Sequence, residues 1–229
     1  MRRRVALLIA FVGVVLVTGC LSPLPQEGEV DYGDRWNTTD DVTYFLGDET
    51  FTAVVRTDGI EGDEVEVWER DPFGGTNPVT LAEVRFRNAD GDVTEVSDEE
   101  VDTSGDRTVV TLPEGDGGRL AYVAEKGPQK FTQPSPVAGS VGVHLPEGTD
   151  ARNFFLGRIS PGDYTAASED PLVLRWDELE SGTFVTVEYY REGYPLVLVG
   201  AIVVLTLAAG VVVYIYRRRL KETEEKKLG

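Results

Sequence analysis

From Val42 onward, apolar and polar positions alternate with a period of two, the pattern of strands that bury one face. Phe51, Ala53 and Val55 fall on one side, and Thr52 and Arg56 on the other. Val65 and Val67 alternate with Glu64 and Glu66, and Ala82, Val84 and Phe86 with Glu83, Arg85 and Arg87. The runs Thr108–Leu112 and Leu120–Val123 are more evenly apolar, as central strands are. Turn formers such as Gly74-Gly75, Asp90-Gly91 and Gly117-Gly118 separate the runs. Alternation resumes at Val141–Leu145, which turns His144 outward beside Gly142. Further strands are predicted at Phe154–Leu156, Leu172–Trp176 and Thr183–Tyr190. Short, punctuated strands of this kind predict an all-β, sandwich-like domain, built as one unit or as two β subdomains.

Several segments escape the period. Residues 126–137 carry Pro128, Pro134 and Pro136, which suit a linker or long crossover between a first β part (42–125) and a second (138–192). Leu196–Tyr216 holds 21 residues and no charge. As a helix it reaches about 31 Å, roughly the hydrocarbon thickness of a bilayer. Arg217, Arg218 and Arg219 follow at once. That predicts one C-terminal transmembrane helix (195–216), a cytoplasmic tail (217–229) and an extracellular β domain. Tyr189, Tyr190 and Tyr194 suit the outer aromatic belt, and Tyr214 and Tyr216 the inner one.

Residues 1–19 read as an N-terminal signal segment, with Arg2–Arg4 ahead of a short apolar run. The run ends in Val17-Thr18-Gly19-Cys20, which is lipobox-like and makes Cys20 the candidate lipidation site. Residues 20–41 are acidic, rich in Pro and Gly and without period, as a tether or loosely ordered arm would be. They contain Asn37-Thr38-Thr39, so Asn37 is a candidate glycosylation site.

Charge narrows the choice of partners. The formal charge is −18; each end carries +3, which leaves −24 in between. Such a surface disfavours nucleic acid, which requires Lys and Arg patches. It suits concentrated salt, where self-repulsion is screened within about 3 Å at 1 M, and so predicts a halophilic source. The only lysines of the intervening segment, Lys126 and Lys130, form a small basic island in the Pro-rich stretch. They are either solvated or a partner contact. Cys20 and His144 are the only residues of their kinds, which excludes an intrachain disulfide and a Cys/His zinc site. No catalytic motif, phosphate loop or EF-hand spacing occurs, so no catalytic residue, metal or cofactor is assigned.

The lipobox-like signal combines with Thr108–Ala124 (TVVTLPEGDGGRLAYVA), Arg158–Tyr164 (RISPGDY), Leu172–Leu179 (LVLRWDEL) and a C-terminal helix with a charged tail. This layout resembles an uncharacterised family of haloarchaeal membrane proteins, and the resemblance carries no activity. The leading expectation is a non-catalytic, membrane-anchored cell-surface protein acting through protein–protein or envelope contacts. The alternatives are an extracellular ligand- or cation-binding module serving a transporter or sensor, and an enzyme using carboxylates alone.

Overall fold

The alternating runs pair into sheets because only pairing satisfies their backbone groups once one face is dry. A computed structural model describes residues 32–225, apart from residues 59, 61–62, 72 and 114–116. The signal segment and Cys20 lie outside the described residues.

The first half supplies β1 (Val42–Leu46), β2 (Thr50–Arg56), β3 (Glu64–Arg70), β4 (Thr76–Pro78), β5 (Leu81–Asn88), β6 (Val93–Glu95), β7 (Val101–Asp102), β8 (Thr108–Thr111) and β9 (Gly118–Glu125). The second supplies β10 (Lys130–Pro134), β11 (Gly139–His144), β12 (Thr149–Asp150), β13 (Arg158–Ser160), β14 (Thr165–Glu169), β15 (Leu172–Leu179), β16 (Phe184–Glu188) and β17 (Tyr190–Arg191). Helix α1 (Tyr194–Glu225) follows.

Both halves feed one eight-stranded sheet, in the order β14-β15-β11-β1-β2-β9-β5-β6. The joint is the parallel pair β1/β11, with Val42 opposite Val141 and Tyr44 opposite Val143. Two smaller sheets, β4-β3-β8-β7 and β10-β16-β13, contribute to the same apolar cluster. Val65, Val67 and Val110 come from the first, and Phe131, Val185 and Val187 from the second. Tyr44, Phe51 and Phe131 meet ring to ring, with centroids 4.8 Å and 5.2 Å from Phe131. The result is an all-β sandwich with one continuous core. The pair β12/β17 lies outside these sheets and leads into α1.

Four expectations are corrected. The Pro-rich stretch 126–137 contains strand β10, paired along its length with β16. It is an edge strand with Pro134 at its last position, where a missing N–H costs no ladder bond. The end of the tether is docked: Gly33–Asn37 form a 3-10 turn with Tyr32 and Trp36 buried. Phe154–Leu156 form an exposed turn, not a strand. Tyr189 and Tyr190 are buried in the domain and cannot serve an aromatic belt, whereas Tyr194, Tyr214 and Tyr216 are exposed.

Helix α1 contains a window, Tyr194–Tyr214, long and apolar enough to cross a membrane, and none of it is buried against the protein. The helical conformation continues through the charged tail to Glu225.

Candidate functional site

Arg56, Arg119 and Arg87 occupy the polar, outward positions of β2, β9 and β5. Register places them abreast, with Arg56 opposite Arg119 and Arg119 opposite Arg87. Like charges facing each other across strands cost roughly 0.2–1 kcal/mol per pair. The row persists because acceptors from residues 37–41 lie across it.

Arg119 donates to the Thr38 hydroxyl and carbonyl, both at 2.7 Å. Arg56 donates to Asp41 Oδ1 at 3.0 Å and to the Thr39 carbonyl at 3.1 Å. Arg87 has the weakest tie, a 3.5 Å contact to Asn37 Oδ1. Nearby, Arg35 donates to the Thr52 hydroxyl at 2.8 Å. The Tyr32 hydroxyl donates to the Glu83 carbonyl at 2.6 Å. The arm thus crosses the outer face, and Val54 and Ala121 beneath it are buried although they stand outside the core cluster.

An open groove of about 470 Å3 is lined by Trp36, Asn37, Arg56, Asp58, Arg87 and Arg119. Burial lowers the affinity of Arg119 for its proton, and the neighbouring Arg56 and Arg87 charges lower it further. Three guanidinium groups thus outnumber the two carboxylates beside them, Asp41 on Arg56 and Asp58 in the groove, a small positive excess on an acidic protein, suited to a carboxylate or another planar anion.

A second cluster lies along the same arm. Asp40 is buried and sits 2.8 Å from Arg175 Nε, a contact of charges without hydrogen-bond alignment. Burial raises the Asp40 carboxyl above its usual range, against the pull of Arg175 and His144. Gly142 makes this possible, because a Cβ there would stand 2.5 Å from Asp40 Oδ2. Asp41 behaves oppositely. Burial raises it, but hydrogen bonds from Ser140 and the Arg56 charge prevail and hold it below the usual range. His144 is half-buried, stacked 4.5 Å from Phe45, and burial depresses its affinity for a proton. Ser140 and His144 share a face of β11 but lie four residues, about 13 Å, apart. The Ser140 hydroxyl donates to Asp41 Oδ2 at 2.9 Å.

The other singled-out residues are placed as follows. Asn37 is exposed at the end of the 3-10 turn and lines the arginine groove. Lys126 directs its ammonium at the Asp48 carbonyl (2.8 Å), the Tyr189 hydroxyl (2.7 Å) and the Gly127 carbonyl (3.4 Å). Lys130 is exposed and 3.6 Å from Glu188. The two lysines do not converge on a site. Arg56, Arg87 and Arg119 were visible in the sequence only as polar positions in separate strands; strand register assembles them.

A family model matches residues 38–228. The chain belongs to this family of unknown function, DUF5803. The match takes in the three arginines, Thr38 and the apolar helix. No curated protein matches the chain.

Proposed function

We propose that this member of the family is a non-catalytic, membrane-anchored surface module that engages an acidic protein partner of the cell envelope through the arginine groove. Helix α1 holds it in the bilayer, with the β domain outside and the Arg217–Arg219 end inside. The observation that carries the reading is the row Arg56–Arg119–Arg87 beside an open groove. A positive cleft on a strongly negative body concentrates its field and selects a carboxylate-bearing partner by sign.

The test is arginine footprinting with phenylglyoxal, read by mass spectrometry, in native membranes and on the purified full chain. Arg87 reacts in the purified protein and is protected in membranes, while Arg70, exposed and outside the groove, reacts equally in both. Equal reactivity of Arg87 in the two states overturns the reading. The groove volume also falls within the range of small-molecule sites, which favours a second reading as a binding module for a small anionic ligand. Protection of Arg87 in the purified protein by millimolar succinate would select that reading over the first.

A further inference from the structure

Phe154 and Phe155 are 89% and 86% exposed, and their rings meet edge to face at 5.4 Å. Two adjacent phenyl rings in water are unfavourable, so their display calls for a cause. The turn that carries them is built to hold them out. Asn153 Oδ1 accepts the Phe155 N–H at 2.9 Å. The Asn153 carbonyl accepts the Leu156 N–H at 3.1 Å and the Gly157 N–H at 2.8 Å. Gly157 closes the loop where a Cβ would stand 2.1 Å from the Ala151 carbonyl oxygen.

The base of this turn is tied to the chain that enters α1. Asp150 pairs with Tyr190 and Thr149 with Arg191. The Glu192 N–H donates to the Gly148 carbonyl at 3.1 Å. Tyr190 stands four residues before Tyr194, where α1 begins, a contour of at most about 14 Å. The rings and Leu156 border an open groove of about 580 Å3 that Arg152 and Arg158 also line. Glu188, opposite Arg158 in the β13/β16 pair, lines the groove as well.

Phe73, 98% exposed, is the internal contrast. It follows β3, whose Arg70 lies over the Phe184 ring at 4.2 Å, at the start of β16. The strand's other end leads to Tyr190, so Phe73 lies away from α1.

We infer that the Asn153–Gly157 turn inserts Phe154 and Phe155 into the lipid headgroup and acyl boundary of the membrane that α1 crosses, giving the β domain a second, lateral hold on the bilayer. This rests on the proposal that α1 spans the membrane. Aromatic rings favour that boundary, and exposed Arg158 is placed for a lipid phosphate, whereas Arg152 is held by Asp150 at 3.0 Å and 3.1 Å. A helix alone leaves the domain free to tilt about residues 192–193; a second contact fixes its attitude.

The test places a diazirine-bearing residue at position 155 or position 73 of the full chain. The protein is reconstituted in phosphatidylcholine–phosphatidylglycerol vesicles, floated after alkaline extraction and photolysed. The expected result is flotation of both proteins, with lipid adducts at position 155 at least tenfold above those at 73. Flotation with equal adducts at the two positions overturns the inference and leaves the spanning helix standing. Flotation with protein adducts at 155 shows a covering partner or second copy, and also overturns it. Loss of flotation overturns the spanning helix and the inference together.

Discussion

The two faces of the eight-stranded sheet are covered by different physics. The inner face meets the smaller sheets through rings and branched side chains, among them Tyr44, Phe51, Val55, Leu120 and Val143, all essentially without exposure. The outer face is covered by an arm held through directional bonds, from Arg35, Arg56 and Arg119 to Thr52, Asp41, Thr39 and Thr38. Burial of apolar area has no directional requirement and accumulates over every atom. A hydrogen bond adds only about 0.5–1.5 kcal/mol net, and nothing once its geometry is lost. The inner face therefore sets whether the domain folds. The outer face sets where the arm lies and what the groove beside it presents.

The sharpest attempt to break this comparison is Phe131→Ala. Phe131 is fully buried and packs against both Tyr44 and Phe51. Removing it leaves a cavity between the two layers and costs about 3–5 kcal/mol, a large part of a typical domain's stability of about 5–15 kcal/mol. Denaturant melts of the purified full chain check this. A loss under about 1 kcal/mol would mean that the core is not the principal support.

The inner face was legible in the sequence because alternation reports burial directly. Phe51, Ala53, Val55, Val65, Val67, Val84 and Phe86 all point where their period put them. The outer face was not. The arm has no period, and its bonds join residues up to 99 positions apart, as in Ser140 to Asp41. Local pattern cannot state such pairings. Phe154-Phe155-Leu156 looked like a buried strand because apolar runs carry no sign of what they face; here Asn153 braces them outward. Tyr189 and Tyr190 sit beside the apolar helix in sequence, yet both are buried in the β domain, and β17 pairs with β12. Cys20 falls outside the described residues.

Arg119→Ala sharpens the contrast from the other side. It removes two bonds to Thr38 but also relieves repulsion with Arg56 and Arg87. The net global cost is roughly 1 kcal/mol. The local effect is larger: amides of residues 33–41 exchange faster by hydrogen–deuterium mass spectrometry, while those of β9 and β11 do not. A uniform rise in exchange across the sheet would show that the arm and the core are one cooperative unit, and the distinction between faces would fail.

The smallest expected effect is on pH dependence, and it belongs to the outer face alone. Burial beside Phe45 depresses the affinity of His144 for a proton, and the opposing charge of Asp40 does not make up the difference. In the unfolded chain the imidazole takes a proton near its ordinary value of about 6.5. Between that value and the depressed one, the unfolded state binds more protons than the folded state, so stability falls as pH drops through this window. Asp40 has the opposite sign. Its carboxyl is raised by burial, so the folded state binds the extra proton, and acidification favours folding between the raised value and the ordinary carboxylate range. Asp41 is held low by Ser140 and Arg56, and its contribution is lost only as pH falls below the ordinary carboxylate range. The expected result is a shallow decline in melting temperature from pH 7.5 to 5.5 that is absent in His144→Gln. Phe131→Ala lowers the whole curve without changing its slope, because the inner face around it holds no group titrating there. A wild-type curve flat across this range, or a slope that survives His144→Gln, would show that proton uptake on the outer face is not coupled to folding.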